Sequence, residues 1–179
     1  MRIAPLLIGI ILILVTIVGL IGYSGSDDVE VPVVPCPTNP LEPDKCYVGM
    51  TKADLSVPTQ FSILSIEISI EWSQSESTWL GVIPSSDATE CPPDGQGLTS
   101  CEADELNFIT GGTESVGEDG LEWKVEPGKY RLATGSVSSD ANSVAGNIVS
   151  YEYDARLNFL VASVTILFGT GMLFVGIEF

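Results

Sequence analysis

Apolar residues run without a charge from Ile3 to Gly22 and again from Leu157 to Ile177, and between these runs the chain changes to a two-residue alternation. Each run approximates the ~20 residues with which a helix crosses roughly 30 Å of hydrocarbon. Neither carries polar residues at a period near 3.6, as a soluble core helix would. The side chains of the first run favour insertion by roughly 4–8 kcal/mol, and the second is nearly as strong. Both are read as transmembrane helices, over residues 1–23 and 155–179. A cleaved signal peptide competes for the first run. However, its apolar stretch is longer than the usual ~7–15 residues, and Ser24-Gly25-Ser26 is a weak cleavage site.

Residues 24–52 read as a stalk, because Pro32, Pro35, Pro37, Pro40 and Pro43 hold the backbone extended and exclude helix. Residues 53–154 read as strands. Leu64, Ile66, Ile68, Ile70 and Trp72 alternate with Ser65, Glu67, Ser69 and Glu71, giving one buried and one wet face. Phe61 and Ile63 have the opposite parity, which predicts a bulge near Ile63-Leu64. Gln74–Ser77 then turns the chain into a returning strand from Thr78 to Ile83, with Trp72 and Trp79 neighbours across the hairpin as core packing. A long loop follows to Asp104. Further strands are expected at Glu105–Thr110, Leu121–Val125, Tyr130–Thr134 and Val144–Tyr153, with a short one at Leu55–Val57. Turn signals roughly every ten residues suggest an all-β sandwich flanked by two transmembrane α-helices.

The stretch Trp123-Lys-Val-Glu-Pro-Gly-Lys-Tyr-Arg-Leu132 resembles the Pro-Gly-x-Tyr turn and strand of many immunoglobulin-like and fibronectin-type sandwiches. The resemblance covers about ten residues and implies an architecture rather than an activity. Antibody-type domains join their two sheets by one disulfide around a tryptophan, and the cysteine spacing here departs from that.

Cys36 and Cys46, then Cys91 and Cys101, form two Cys-x9-Cys pairs in turn-rich sequence. Zinc sites favour shorter spacing and often histidine, and this chain has no histidine. Disulfides within each pair are favoured over the two crossed pairings, and each local loop would add about 3 kcal/mol. An oxidising compartment follows for the central domain. Arg2 and the amino terminus place the N-terminus in the cytoplasm, although Arg156 argues weakly the other way. Both termini are then cytoplasmic, in a two-span protein of the cell membrane.

The formal charge is −17, and all but Glu178 of the 24 acids and all but Arg2 of the 7 bases lie between the spans. Such a surface repels nucleic acid, stays soluble, and suits salty surroundings or a basic partner. Lack of histidine removes histidine-based nucleophilic triads, and no phosphate-binding glycine loop is present. The sequence therefore names no catalytic, cofactor-binding or metal residue and predicts no cofactor. Oxygen-rich stretches at Asp87–Glu90, Glu102–Glu105, Glu118-Asp119 and Ser138–Ser143 leave calcium open. Gly9, Thr16 and Gly19 on the first span, and Ala162, Thr165, Gly169 and Gly176 on the second, offer small-residue faces at matching depth. The functional expectation is a non-enzymatic membrane protein whose acidic ectodomain binds another membrane or surface protein, or serves as an accessory subunit. A calcium-responsive surface module and a carboxylate-dependent glycan hydrolase are the alternatives.

Overall fold

The computed structural model describes residues 3–36, 46–137 and 146–178. Helix α1 (Ile3–Ile21) runs into strand β1 (Tyr23–Val31) with only Gly22 between them. Gly22 has φ +82°, the left-handed conformation in which many helices end, and its N–H bonds back to the Val18 carbonyl at 3.2 Å. The chain continues through β2 (Val48–Met50), β3 (Leu55–Val57), β4 (Leu64–Trp72) and β5 (Thr78–Pro84). A single helical turn, α2 (Asp87–Glu90), precedes β6 (Leu98–Thr99), β7 (Thr110–Gly112), β8 (Leu121–Val125), β9 (Gly128–Ser136) and β10 (Asn147–Leu157). Helix α3 (Phe159–Glu178) closes the series. Both α1 and α3 are long and apolar enough to span a membrane, and most of their large side chains are exposed.

The strands form two antiparallel sheets, one ordered β1-β10-β4-β8 and the other β6-β2-β9-β5-β7, with β3 also on β9. The alternation in β4 sends Ile68, Ile70 and Trp72 inward, where they meet Leu80, Val82, Tyr130 and Leu132 of the opposing sheet. Trp123 and Tyr130 bridge the sheets edge-on with ring centroids 4.7 Å apart, a favoured aromatic geometry.

Four local expectations change. Tyr23–Val31, read as the start of a stalk, is a strand in continuous register with β10, from Tyr23 opposite Ala155 to Val31 opposite Asn147. Its inward positions include the small Gly25, which leaves room for the Tyr153 ring, so hydrophobic alternation is faint. The proline-rich residues 37–45 lie outside the described residues. No bulge precedes β4. Phe61 and Ile63 instead belong to a 3-10 turn, Thr59–Ile63, which accounts for the change in parity. β4 and β5 are not a paired hairpin, because β4 already has β10 and β8 on its two edges, and the turn carries the chain across to the other sheet. Trp72 donates its indole N–H to the Thr78 carbonyl at 3.1 Å, whereas Trp79 points to the far face of β5 and meets Phe108 edge-on at 5.5 Å. Finally, Glu105–Thr110 contains only the end of a 3-10 turn and the first residue of β7.

That far face is buried by the long loop. Met50, Trp79, Ile83 and Ala133 pack beneath Cys91, Leu106 and Phe108, which makes a second core. Cys91 is bonded to Cys101 with their Cα atoms 5.8 Å apart, and Cys36 to Cys46 at 4.9 Å. The first of these closes the loop that covers the sheet.

The two end helices pack on one another through their small residues. A Cβ on Gly9 would stand 2.7 Å from the Gly169 carbonyl oxygen, and one on Gly176 would stand 3.0 Å from the Leu6 nitrogen. Gly9, Thr16, Ala162, Gly169 and Gly176 are all buried, seven residues apart along each helix. Close backbone approach of this kind is how helices associate in lipid. At the other junction, Asn158 caps α3, its Oδ1 accepting from the Leu160 N–H at 3.0 Å while its own N–H bonds to the Ile63 carbonyl at 2.9 Å.

Candidate functional site

A hollow of about 570 Å³ is lined by residues of both sheets. Its walls are the inward side chains that the alternation of β4, β8 and β9 dictates, among them Ile68, Ile70, Trp123 and Leu132. Val82 closes it from β5, and Val29 and Tyr151 stand toward its β1 side. The rim is different in character. It consists of Glu30 near the end of β1, Pro32 just after it, the segment Thr51–Leu55, Gln96 and Arg131.

Backbone pairing fixes that rim. Thr51 exchanges bonds with Leu132, its N–H donating to the Leu132 carbonyl at 3.0 Å and its Oγ1 accepting from the Leu132 N–H at 3.2 Å. Lys52 is thereby held at the edge of β9. Arg131 Nε lies 2.6 Å from Asp54 Oδ1, and this bond, with a second from Ser85, holds the Asp54 carboxyl below its ordinary range. Lys129 is opposite Ser56 in the β3–β9 register, and its charge also reaches Asp54. Three of the chain's 7 basic residues, Lys52, Lys129 and Arg131, thus gather in this one region of a protein of charge −17. Two phenols face the cavity. Tyr130 donates to the Glu126 carbonyl at 2.7 Å, and burial pushes its pKa up. Tyr151 is likewise raised, by burial first and then by Asp27. Both are neutral donors at physiological pH. The arrangement therefore offers apolar contact inside and charge at the rim.

Gln96 reaches the rim on a turn organised by Asp94. Asp94 Oδ1 accepts from the N–H groups of Gln96 at 2.8 Å and Leu98 at 2.9 Å, and these backbone bonds lower its pKa. A carboxyl depressed by folding stabilises above its unfolded-state pKa, and that stabilisation is lost as pH falls through the folded value. Acidification below the ordinary carboxylate range should therefore loosen this turn, and Asp94→Asn should remove the dependence. Amide chemical shifts of Gln96 and Leu98 followed against pH check this. A midpoint at the ordinary aspartate value would show that the two bonds do not hold the charge.

The residues singled out by sequence lie elsewhere. None of the four cysteines lines the cavity. Asp87 is 4 % exposed and accepts from the Asn107 N–H at 2.7 Å, so this carboxylate ties the covering loop down. Glu105 accepts from the Glu102 N–H at 2.8 Å in a capping box. The stretch Ser138–Ser143 lies outside the described residues. Among the described residues, no three acids or cysteines converge as a metal site. A second, shallower hollow on the outer face of the first sheet gathers Glu67, Glu122, Glu152 and Asp154. Glu67 is directly opposite Asp154 on one side and Lys124 on the other.

No family model matches the chain, and no curated protein matches it at a significant level.

Proposed function

We propose that this is a two-span membrane protein that holds a non-enzymatic, acidic ectodomain outward as an accessory subunit or binding module for another membrane or surface protein. The observation that carries this reading is the continuity of spans and strands. α1 passes through one residue into β1, β10 passes through Asn158 into α3, and β1 is paired along its whole length with β10. The helix pair and the strand pair are therefore one four-segment unit, suited to presenting a surface at fixed height and angle. The two disulfides support placing the domain in an oxidising compartment. Tyr130, just after the Pro127-Gly128 turn, bonds back to the backbone at Glu126, which supports an immunoglobulin- or fibronectin-like style of sandwich. Phe61 and Ile63, 44 % and 50 % exposed, sit on a turn bonded to the residue that starts α3. They suit the outer headgroup layer. Solubilising native membranes in mild detergent tests the proposal. A partner that co-purifies stoichiometrically is expected, and recovery as a lone monomer would count against it.

A further inference from the structure

Twelve residues in a row, Leu55 to Ile66, carry no charge in a chain of charge −17. They form β3, the 3-10 turn Thr59–Ile63 and the first residues of β4. Leu55, Pro58, Phe61 and Ile63 of this stretch are exposed, and Phe61 and Ile63 belong to neither buried core. Large apolar side chains bared on a short uncharged stretch mark a contact surface. What covers them follows from where the turn is held. The Ile63 carbonyl accepts from the Asn158 N–H at 2.9 Å, and Leu64 is opposite Leu157. The turn is therefore level with the residue that starts α3. Phe159 and Leu160 come next and are 81 % and 69 % exposed, and in a spanning helix such side chains face lipid. At the same end of the sheet, Tyr23 stands exposed at the start of β1, a residue type that favours the membrane–water boundary. We infer that the turn Thr59–Ile63 enters the outer leaflet beside α3 as a third membrane contact, with Phe61 and Ile63 buried where headgroups meet acyl chains. This rests on the two-span reading and deepens it, because the domain then leans on lipid as well as hanging from two helices. The contact is uncharged, so its partner is the apolar boundary itself and not a headgroup of one sign.

Depth-dependent quenching tests the inference on the full chain, one copy per disc of zwitterionic lipid. All four cysteines are paired, so one introduced cysteine carries a single fluorophore. Ser62→Cys labels the turn and leaves Phe61 and Ile63 in place. Phe168→Cys labels the middle of α3, and Glu76→Cys labels the turn at the opposite end of β4; all three positions are exposed. Nitroxide near the top of the lipid acyl chains should quench the Ser62 label at least about fivefold more than the Glu76 label. Nitroxide near the chain ends should quench Phe168 best. Phe61→Asp with Ile63→Asp should bring Ser62 down to the level of Glu76, since a carboxylate is expelled from the boundary, with quenching at Phe168 and the melting profile unchanged. Should that variant melt early, Phe61→Ser alone, expected to remove about half of the quenching, decides the same point. Ser62 quenched no more than Glu76 while Phe168 is quenched overturns the inference and leaves the spans standing. An unquenched Phe168 overturns the two-span reading and the inference with it. Quenching at Ser62 that survives the aspartates shows nearness without insertion, which also overturns it. Quenching lost in discs that hold two copies gives the turn to a second copy instead of lipid.

Discussion

Replacing Asn147 by leucine should destabilise the β-sheet domain by about 3–5 kcal/mol, among the largest effects of any single change here. Asn147 is fully buried at the start of β10. Its Oδ1 accepts from Ser73 Oγ at 3.1 Å and from the Gln74 N–H at 3.3 Å, and its Nδ2 donates to Thr78 Oγ1 at 2.9 Å. Thr78 Oγ1 in turn donates to the Gln74 carbonyl at 2.7 Å. One amide thus organises the turn by which the chain leaves the first sheet for the second. Leucine is close in volume, so the loss would come from orphaned polar groups rather than from a void. Urea unfolding followed by tryptophan fluorescence measures it, with Ser73→Ala, nearer the surface, expected to cost under about 1 kcal/mol. A drop below about 1 kcal/mol for Asn147→Leu would mean that water reaches the turn and replaces the amide.

The second large effect is at the seam between the two candidate spans. Gly9→Leu should force the helices apart, because the first added carbon would meet the backbone carbonyl of Gly169, which cannot rotate away. Cysteines introduced by Leu6→Cys and Gly176→Cys face each other across the seam, the Leu6 Cβ lying 2.9 Å from where a Cβ on Gly176 would be, so the pair need part by only about 1 Å to reach disulfide spacing. Their oxidative cross-linking should fall at least about tenfold when Gly9→Leu is added, since lipid supplies no hydrophobic force to reclose the pair. Gly171→Leu is the control, because nothing lies within 4 Å of its added carbon. Cross-linking that survives Gly9→Leu would show that the pairing does not rest on close backbone approach.

What was legible in the sequence follows from how directly each feature is written in a local pattern. Uninterrupted apolar runs gave both candidate spans, and the two-residue period gave β4, β8 and most of β9 and β10. The small residues at matching depth led to the Gly9–Gly169 contact. β1 was hidden because its inward positions, such as Gly25, are small and it pairs with a strand more than a hundred residues away, so proline content nearby dominated the reading. β5 misled differently. Six of its seven residues are buried because a loop covers the side away from the main core, and burial on both faces erases alternation. The cavity could not be read at all. Ile68, Ile70, Val82, Trp123 and Leu132 read as core and are core, and the hollow beside them forms only where the Thr51–Leu55 segment meets their layer. The gathering of Lys52, Lys129 and Arg131 was a faint sign, scattered over nearly eighty residues of chain and meaningless until β9 met the Thr51–Leu55 segment.

Gly22 and Asn158, one residue each between helix and strand, leave the β-domain little linker on which to swivel. A tethered module on a flexible leash samples many headings and surrenders that freedom each time it docks. If, as proposed, the helices insert and the partner shares the bilayer, the heading would be settled at insertion and that neighbour would meet the same flank at the same elevation. Encounter would then be a search in two dimensions with little orientational freedom left to lose.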